Sequence, residues 1–121
     1  VEASAQWLRN RVQEVVTANP WLAGRLLTDS QTSSPVLLVP HEVSNREVEK
    51  SFSHLVVKDI FQCLTQQPAS LLCRAGPSAI DKDEPLWKVT LLSSESGKQV
   101  AVVVSLCHGL GDGSVLYATS A

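Results

Sequence analysis

QVAVVVSLCHGLGDG, residues 99–113, is the stretch that decides the fold of this chain. Residues 99–106 are nearly all apolar and half of them are the β-branched valine, a composition typical of a strand covered on both faces. We therefore expect this strand to form the centre of a sheet. Gly109, Gly111 and Gly113 follow at alternate positions, and glycine is a poor helix former. The pattern predicts a buried strand that delivers His108 into a turn that glycine permits.

Three further strands are predicted upstream of this stretch. Trp87, Val89 and Leu91 alternate with polar residues, as in a half-buried strand, and the turn residues at 93–97 indicate a hairpin with the strand at 99–106. Residues 36–39 lie between two prolines, which favours a short strand near a sheet edge because proline cannot donate to a ladder. Residues 70–75 indicate another short strand.

Two helices are predicted in the first half of the chain. Apolar residues recur at helical spacing between residues 3 and 19, and Pro20 ends this helix because the residue before a proline avoids helical angles. A second helix begins at Ser44, which forms a capping box with Glu47, and its apolar stripe continues to residue 64. The helices and strands together predict an α/β fold, a two-layer mixed β-sheet with flanking helices.

The composition excludes several classes of function. The chain has 121 residues, 44% of them hydrophobic, which fits one domain or one lobe of a larger protein. Ten basic and twelve acidic residues give a net charge of -2, which disfavours nucleic-acid binding. The longest apolar runs fall short of the roughly 18 residues that span a bilayer. Three cysteines without a C-x-x-C pair favour a reducing compartment, hence the cytoplasm, over a disulfide framework or a zinc site.

The turn after the apolar strand resembles the motif of a known family. His108-x-x-x-Asp112-Gly113 is similar to the motif of the CoA-dependent acyltransferase superfamily, which includes chloramphenicol acetyltransferase, plant BAHD and alcohol acetyltransferases, and peptide-synthetase condensation domains. The segments NPWLAGRL at 19–26 and PLWKV at 85–89 resemble passages that precede the motif in that family. Cys107 stands where condensation domains usually have a first histidine, which favours the alcohol or BAHD-like branches.

The resemblance implies that residues 1–121 are a single partial domain, a fragment of the N-terminal lobe of a two-lobe chloramphenicol acetyltransferase-like enzyme. His108 would act as the general base on a small-molecule hydroxyl or amine acceptor. Asp112 and Gly113 would be structural, with Arg25 as a possible salt-bridge partner of Asp112. The co-substrate would be acyl-CoA or an acyl-carrier thioester, with no bound cofactor or metal. A missing second lobe or another chain would complete the site, so the isolated chain is expected to be inactive.

Two other functions stay open on the sequence. A noncatalytic interaction module would retain a degenerate acyltransferase lobe and bind another chain through exposed apolar surface. A strand followed by Gly109-x-Gly111 also outlines a dinucleotide-binding βα unit. That interpretation is weaker, because Ser114 stands where the dinucleotide motif has its third glycine or an alanine.

Other polar residues are assigned structural roles. Cys107 is expected to pack in the core, because neighbours along a strand point to opposite faces and His108 could not readily activate it. His41 and His54 are expected to be hydrogen-bonded or solvated. Residues 81–84 offer too few regularly spaced oxygens for a calcium loop and are predicted to be a solvated turn.

Overall fold

The computed structural model describes residues 2–66, 68–74 and 76–107. These residues form a mixed α/β structure with two sheets, which confirms the predicted fold class. Its helices longer than one turn are α1 (Glu2–Ala18), α2 (Asn45–Ser51) and α3 (Ile60–Gln66). Its strands are β1 (Arg25–Thr28), β2 (Pro35–Leu38), β3 (Phe52–Val57), β4 (Trp87–Ser94) and β5 (Val100–Leu106). No helix in these described ranges is long and apolar enough to cross a membrane.

The first helix and strand β2 agree with the sequence, whereas β1 was not predicted. Helix α1 buries Val12 and Val16 on its apolar side, and a 3-10 turn at Pro20–Ala23 follows it. Strands β1 and β2 then pair antiparallel in a two-stranded sheet. The short strand predicted between the prolines is confirmed as β2.

The larger sheet has the strand order β3-β4-β5. Strand β4 is parallel to β3, with Phe52 opposite Val89, and antiparallel to β5, with Trp87 opposite Leu106. The hairpin predicted from the turn at 93–97 is therefore confirmed. Strand β4 is hydrogen-bonded along both edges, which makes it the middle strand.

The prediction that the strand at 99–106 forms the sheet centre is wrong for the part of the chain that is described. Val100, Val102 and Val104 are 56%, 53% and 59% exposed, while nearly all of β4 is buried. Strand β4 is less apolar than β5, but the buried hydroxyls of Ser93 and Ser94 have hydrogen-bond partners. The Ser94 hydroxyl accepts a hydrogen bond from the backbone N–H of Gln99 at 3.2 Å, for example.

The second predicted helix is also corrected. Its start is confirmed, since the Ser44 backbone N–H donates to the Glu47 carboxylate at 3.1 Å in a capping box. The helix ends at Ser51, however, and Phe52–Val57 continues as β3. Pairing with β4 outweighs the helical periodicity there, because β-branched residues such as Val56 and Val57 suit a strand at least as well.

Two apolar clusters cover the two faces of β4. Trp87 and Val89 pack with Val12 and Val16 of α1, whereas Leu92 packs with other residues on the opposite side. Those other residues are Ile60 of α3 and Leu71. Leu71 ends a 3-10 turn at Ala69–Leu71, so the short strand predicted at 70–75 is wrong. The connection between β3 and β4 thus covers one face of the sheet.

We expect Leu92→Ala to lower the free energy of unfolding by about 2–5 kcal/mol, because Leu92 is fully buried and its truncation leaves a cavity. Urea denaturation followed by circular dichroism measures this loss. The matched control is Val102→Thr on the exposed face of β5, which keeps the β-branch and should change the free energy by about 0.5 kcal/mol or less. Equal losses in the two variants would contradict the central position of β4.

Candidate active site at the end of β5

Strand β5 carries the chain to the predicted site. It starts from a turn in which Gly97 has a φ of 73°, a left-handed conformation that glycine adopts without strain. At the other end, the Cys107 backbone N–H donates to the Leu86 carbonyl at 2.8 Å, which extends the pairing of β4 with β5 by one residue. The Cys107 side chain is 2% exposed and lies in the first apolar cluster, so its predicted core role is confirmed.

Three of the predicted site residues lie beyond that point. His108, Asp112 and Gly113 are outside the described residues, and their roles stay predictions. His108 is the residue next to Cys107 in the sequence. The surroundings of Cys107 are therefore the part of the candidate site that can be described.

Arg25, the fourth predicted site residue, is paired with Asp83. Its Nε donates to the Asp83 carboxylate at 3.2 Å, and its Nη1 donates to the carbonyl oxygens of Ala23 and Gly24. The Arg25 side chain is only 13% exposed, so these bonds hold it in place. A pairing of Arg25 with Asp112 remains a prediction.

Asp83 is the residue that the sequence analysis missed. Besides Arg25, its carboxylate accepts from Lys50 Nζ at 2.7 Å and from Arg46 Nη2 at 2.9 Å, both of which belong to α2. The hydrogen bond from Lys50, followed by the one from Arg25, lowers the pKa of Asp83 to about 2. One exposed carboxylate thus joins β1, α2 and the loop before β4.

The same loop is attached to β1 at a second point. The Asp81 carboxylate accepts hydrogen bonds from the Thr28 backbone N–H at 2.9 Å and from its hydroxyl at 2.8 Å. These bonds lower the pKa of Asp81. Asp81 and Asp83 are exposed as predicted, but residues 81–84 are an anchored connection and not merely a solvated turn.

An open cleft lies beside the end of β5. It has a volume of about 580 Å³ and is lined by Ser70, Leu72, Cys73, Arg74, Glu84 and Lys88. The Cys73 backbone N–H donates to the Ser105 hydroxyl at 2.9 Å, and Ser105 is opposite Lys88 in the sheet. The cleft therefore adjoins strand β5 at Ser105, three residues before His108.

The thiol in this cleft is not set up as a nucleophile. Burial raises the pKa of Cys73, and its Sγ donates to the Ser105 carbonyl at 3.5 Å. A raised pKa reduces the fraction of reactive thiolate. Cys73 is therefore a structural contact between the cleft wall and β5.

The other histidine and cysteine side chains that the structure describes show no arrangement for catalysis or metal binding. His54 lies on β3 and not on a helix, and its Nε2 is 2.8 Å from the Ser93 hydroxyl, so the expected hydrogen-bonded role is confirmed. Cys63, Cys73 and Cys107 are free thiols. Across residues 2–66, 68–74 and 76–107, no cluster of three or more His, Cys, Asp or Glu side chains could hold a metal ion.

Comparison with known proteins gave no relative: no protein-family model, no curated protein and no solved structure matches this chain.

We expect Asp83→Asn to destabilise the fold at pH 6, because it removes the charge that Lys50, Arg25 and Arg46 share. The folded-state pKa lies below the ordinary value of 3.8, so the stabilisation is complete above that value and disappears as the pH falls through about 2. The difference in urea midpoint between the native chain and Asp83→Asn should therefore shrink between pH 5 and pH 2.

Glu95→Gln, at an exposed carboxylate of the β4–β5 turn, is the control and should leave the midpoint at pH 6 nearly unchanged. A difference between native and Asp83→Asn that stays constant from pH 6 to pH 2 would contradict the ion-pair assignment.

Proposed function

We propose that this chain is part of an acyltransferase that moves an acyl group from a CoA-type thioester to a hydroxyl or amine, with His108 as the general base. The observation that carries the proposal is the position of residue 107. Cys107 directly follows β5, its backbone N–H donates to the Leu86 carbonyl, and two residues before it Ser105 contacts the wall of the open cleft at Cys73. A base in the next position would start from a rigid support, which positioned proton transfer requires.

The chemistry follows from the properties of imidazole. A neutral imidazole, with an ordinary pKa of about 6.5, can take the proton from the acceptor as the acceptor oxygen or nitrogen attacks the thioester carbonyl. The carbon–sulfur bond then breaks, and the departing thiolate takes the proton back from the imidazolium. No cofactor or metal is needed to balance these steps.

The proposal assigns roles to the other residues of the motif and to Arg25. Asp112 and Gly113 would shape the turn, and the second substrate wall would come from a missing lobe or another chain. Arg25 is held by Asp83, which also binds Lys50 of α2. Arg25 would therefore contribute to the site by fixing β1 relative to α2. The cytoplasm, where acyl-CoA is available, is the proposed location.

We expect His108→Ala in the intact parent protein to lower kcat/KM for thioester-dependent acyl transfer by about 10²- to 10⁴-fold, the usual contribution of a positioned base. The release of free thiol from an acyl-CoA measures the rate. His41→Ala, at an exposed histidine before α2, is the matched control and should retain full activity. Equal rates for the native protein and His108→Ala would eliminate the proposed base.

A noncatalytic interaction module is the second candidate, and the exposed valines of β5 favour it. Val100, Val102 and Val104 are all more than half exposed on one face of the sheet, and in the described residues β5 pairs only with β4. An apolar face next to an unpaired strand edge is a suitable surface for another chain.

This candidate predicts a stable complex without turnover. We expect light scattering to detect a mass increase when the chain is mixed with the remainder of its parent protein, and Val102→Lys to abolish the increase by placing a charge in the apolar face. Val102→Thr should preserve it. A complex that catalyses acyl transfer would instead favour the enzyme.

A further inference from the structure

The cleft beside β5 holds three charged side chains in one place. Lys88 Nζ donates to the Ser70 carbonyl at 2.9 Å, and the Arg74 guanidinium forms an ion pair with Glu84. The hydrogen bond from Arg74 is the main cause that lowers the pKa of Glu84, and the charges of Lys82 and Lys88 lower it further. Two cations and one carboxylate leave the cleft with a net positive charge.

The cations keep donors for a further anion. A lysine ammonium has three N–H groups and an arginine guanidinium has five, whereas the hydrogen bonds described above use only one of each. The exposed Leu72 side chain adds an apolar surface to the same cleft. The arrangement suits a ligand that combines an anionic group with an uncharged chain.

The geometry points to this cleft as a subsite for a phosphate group on the pantetheine arm of the acyl donor. The inference rests on the proposed acyltransferase function. A phosphate matches the donor set, because guanidinium and ammonium groups are the side chains that bind phosphate oxygens. It also matches the location, because Ser105 connects the cleft wall at Cys73 to the strand that precedes His108.

The phosphate could belong to free CoA or to a carrier-bound phosphopantetheine. The recognised group is the same in both cases, and the two donors differ in that CoA carries additional phosphates. Acyl-pantetheine has the same thioester without any phosphate. These three compounds therefore separate recognition of the phosphate from recognition of the arm.

The experiment measures KM and kcat of the intact parent protein with acyl-CoA, acyl-phosphopantetheine and acyl-pantetheine. We expect Lys88→Gln and Arg74→Gln each to raise KM for at least one phosphate-bearing donor by roughly tenfold, equivalent to about 1.4 kcal/mol, and to leave kcat unchanged. KM for acyl-pantetheine should not change. The increase should become smaller at high salt, because the contacts are partly exposed.

Lys98→Gln is the matched control, because Lys98 lies at the β4–β5 turn at the far end of the sheet. It should leave all three KM values unchanged. Lys88→Arg retains the charge and should restore most of the affinity for the phosphate-bearing donors. Circular dichroism verifies that each variant is folded.

Calorimetry measures binding of coenzyme A to the parent protein without requiring catalysis. The phosphate subsite can therefore be tested separately from the proposed function. If His108→Ala retains full activity while Lys88→Gln weakens coenzyme A binding, the base is wrong and the phosphate subsite stands. If His108→Ala is inactive while Lys88→Gln and Arg74→Gln bind every donor normally, the subsite is wrong. An equal loss of affinity for acyl-pantetheine would also overturn the subsite, because it would indicate a general disturbance of the cleft.

Discussion

The enclosure of β4 is the constraint on which the rest of the structure depends. This strand is paired on both edges and packed on both faces, so its position fixes those of β3, β5, α1 and α3. Burial on this scale requires that polar atoms find partners, and the serines of β4 do so with His54 and Gln99. The position of β4 also determines the shape of the cleft, because Lys88, the second residue of β4, lines it.

The sequence was sufficient for elements whose stabilising contacts are local. The capping box at Ser44, the turn at Gly97 and the helical period of α1 all depend on neighbours within a few residues, and all three are present. It was insufficient where long-range pairing decides the outcome. The segment Phe52–Val57 satisfies helical spacing, yet it becomes a strand because the parallel edge of β4 is available to it. Apolar content also misled for β5, since one of its faces is exposed in the described structure.

The candidate site shows the same division. The motif residues around His108 could be identified from their order in the chain, and the structure adds the paired strand that precedes them. Nothing in the local sequence indicated that Asp83 would meet Arg25 and two residues of α2, because these partners come from distant parts of the chain. The contact of Cys73 with Ser105 was equally hidden, since it required knowing that the connection between β3 and β4 folds back on the sheet.

The two kinds of strand pairing imply an order of assembly. Strands β4 and β5 are joined by a short turn, whereas β3 reaches β4 only after a long connection that includes α3. Closing a short loop costs less conformational entropy than closing a long one, and pairing between distant segments is correspondingly slow. We expect the hairpin to form early and β3 to dock late, so that the last step of folding completes the environment of the strand that leads to His108.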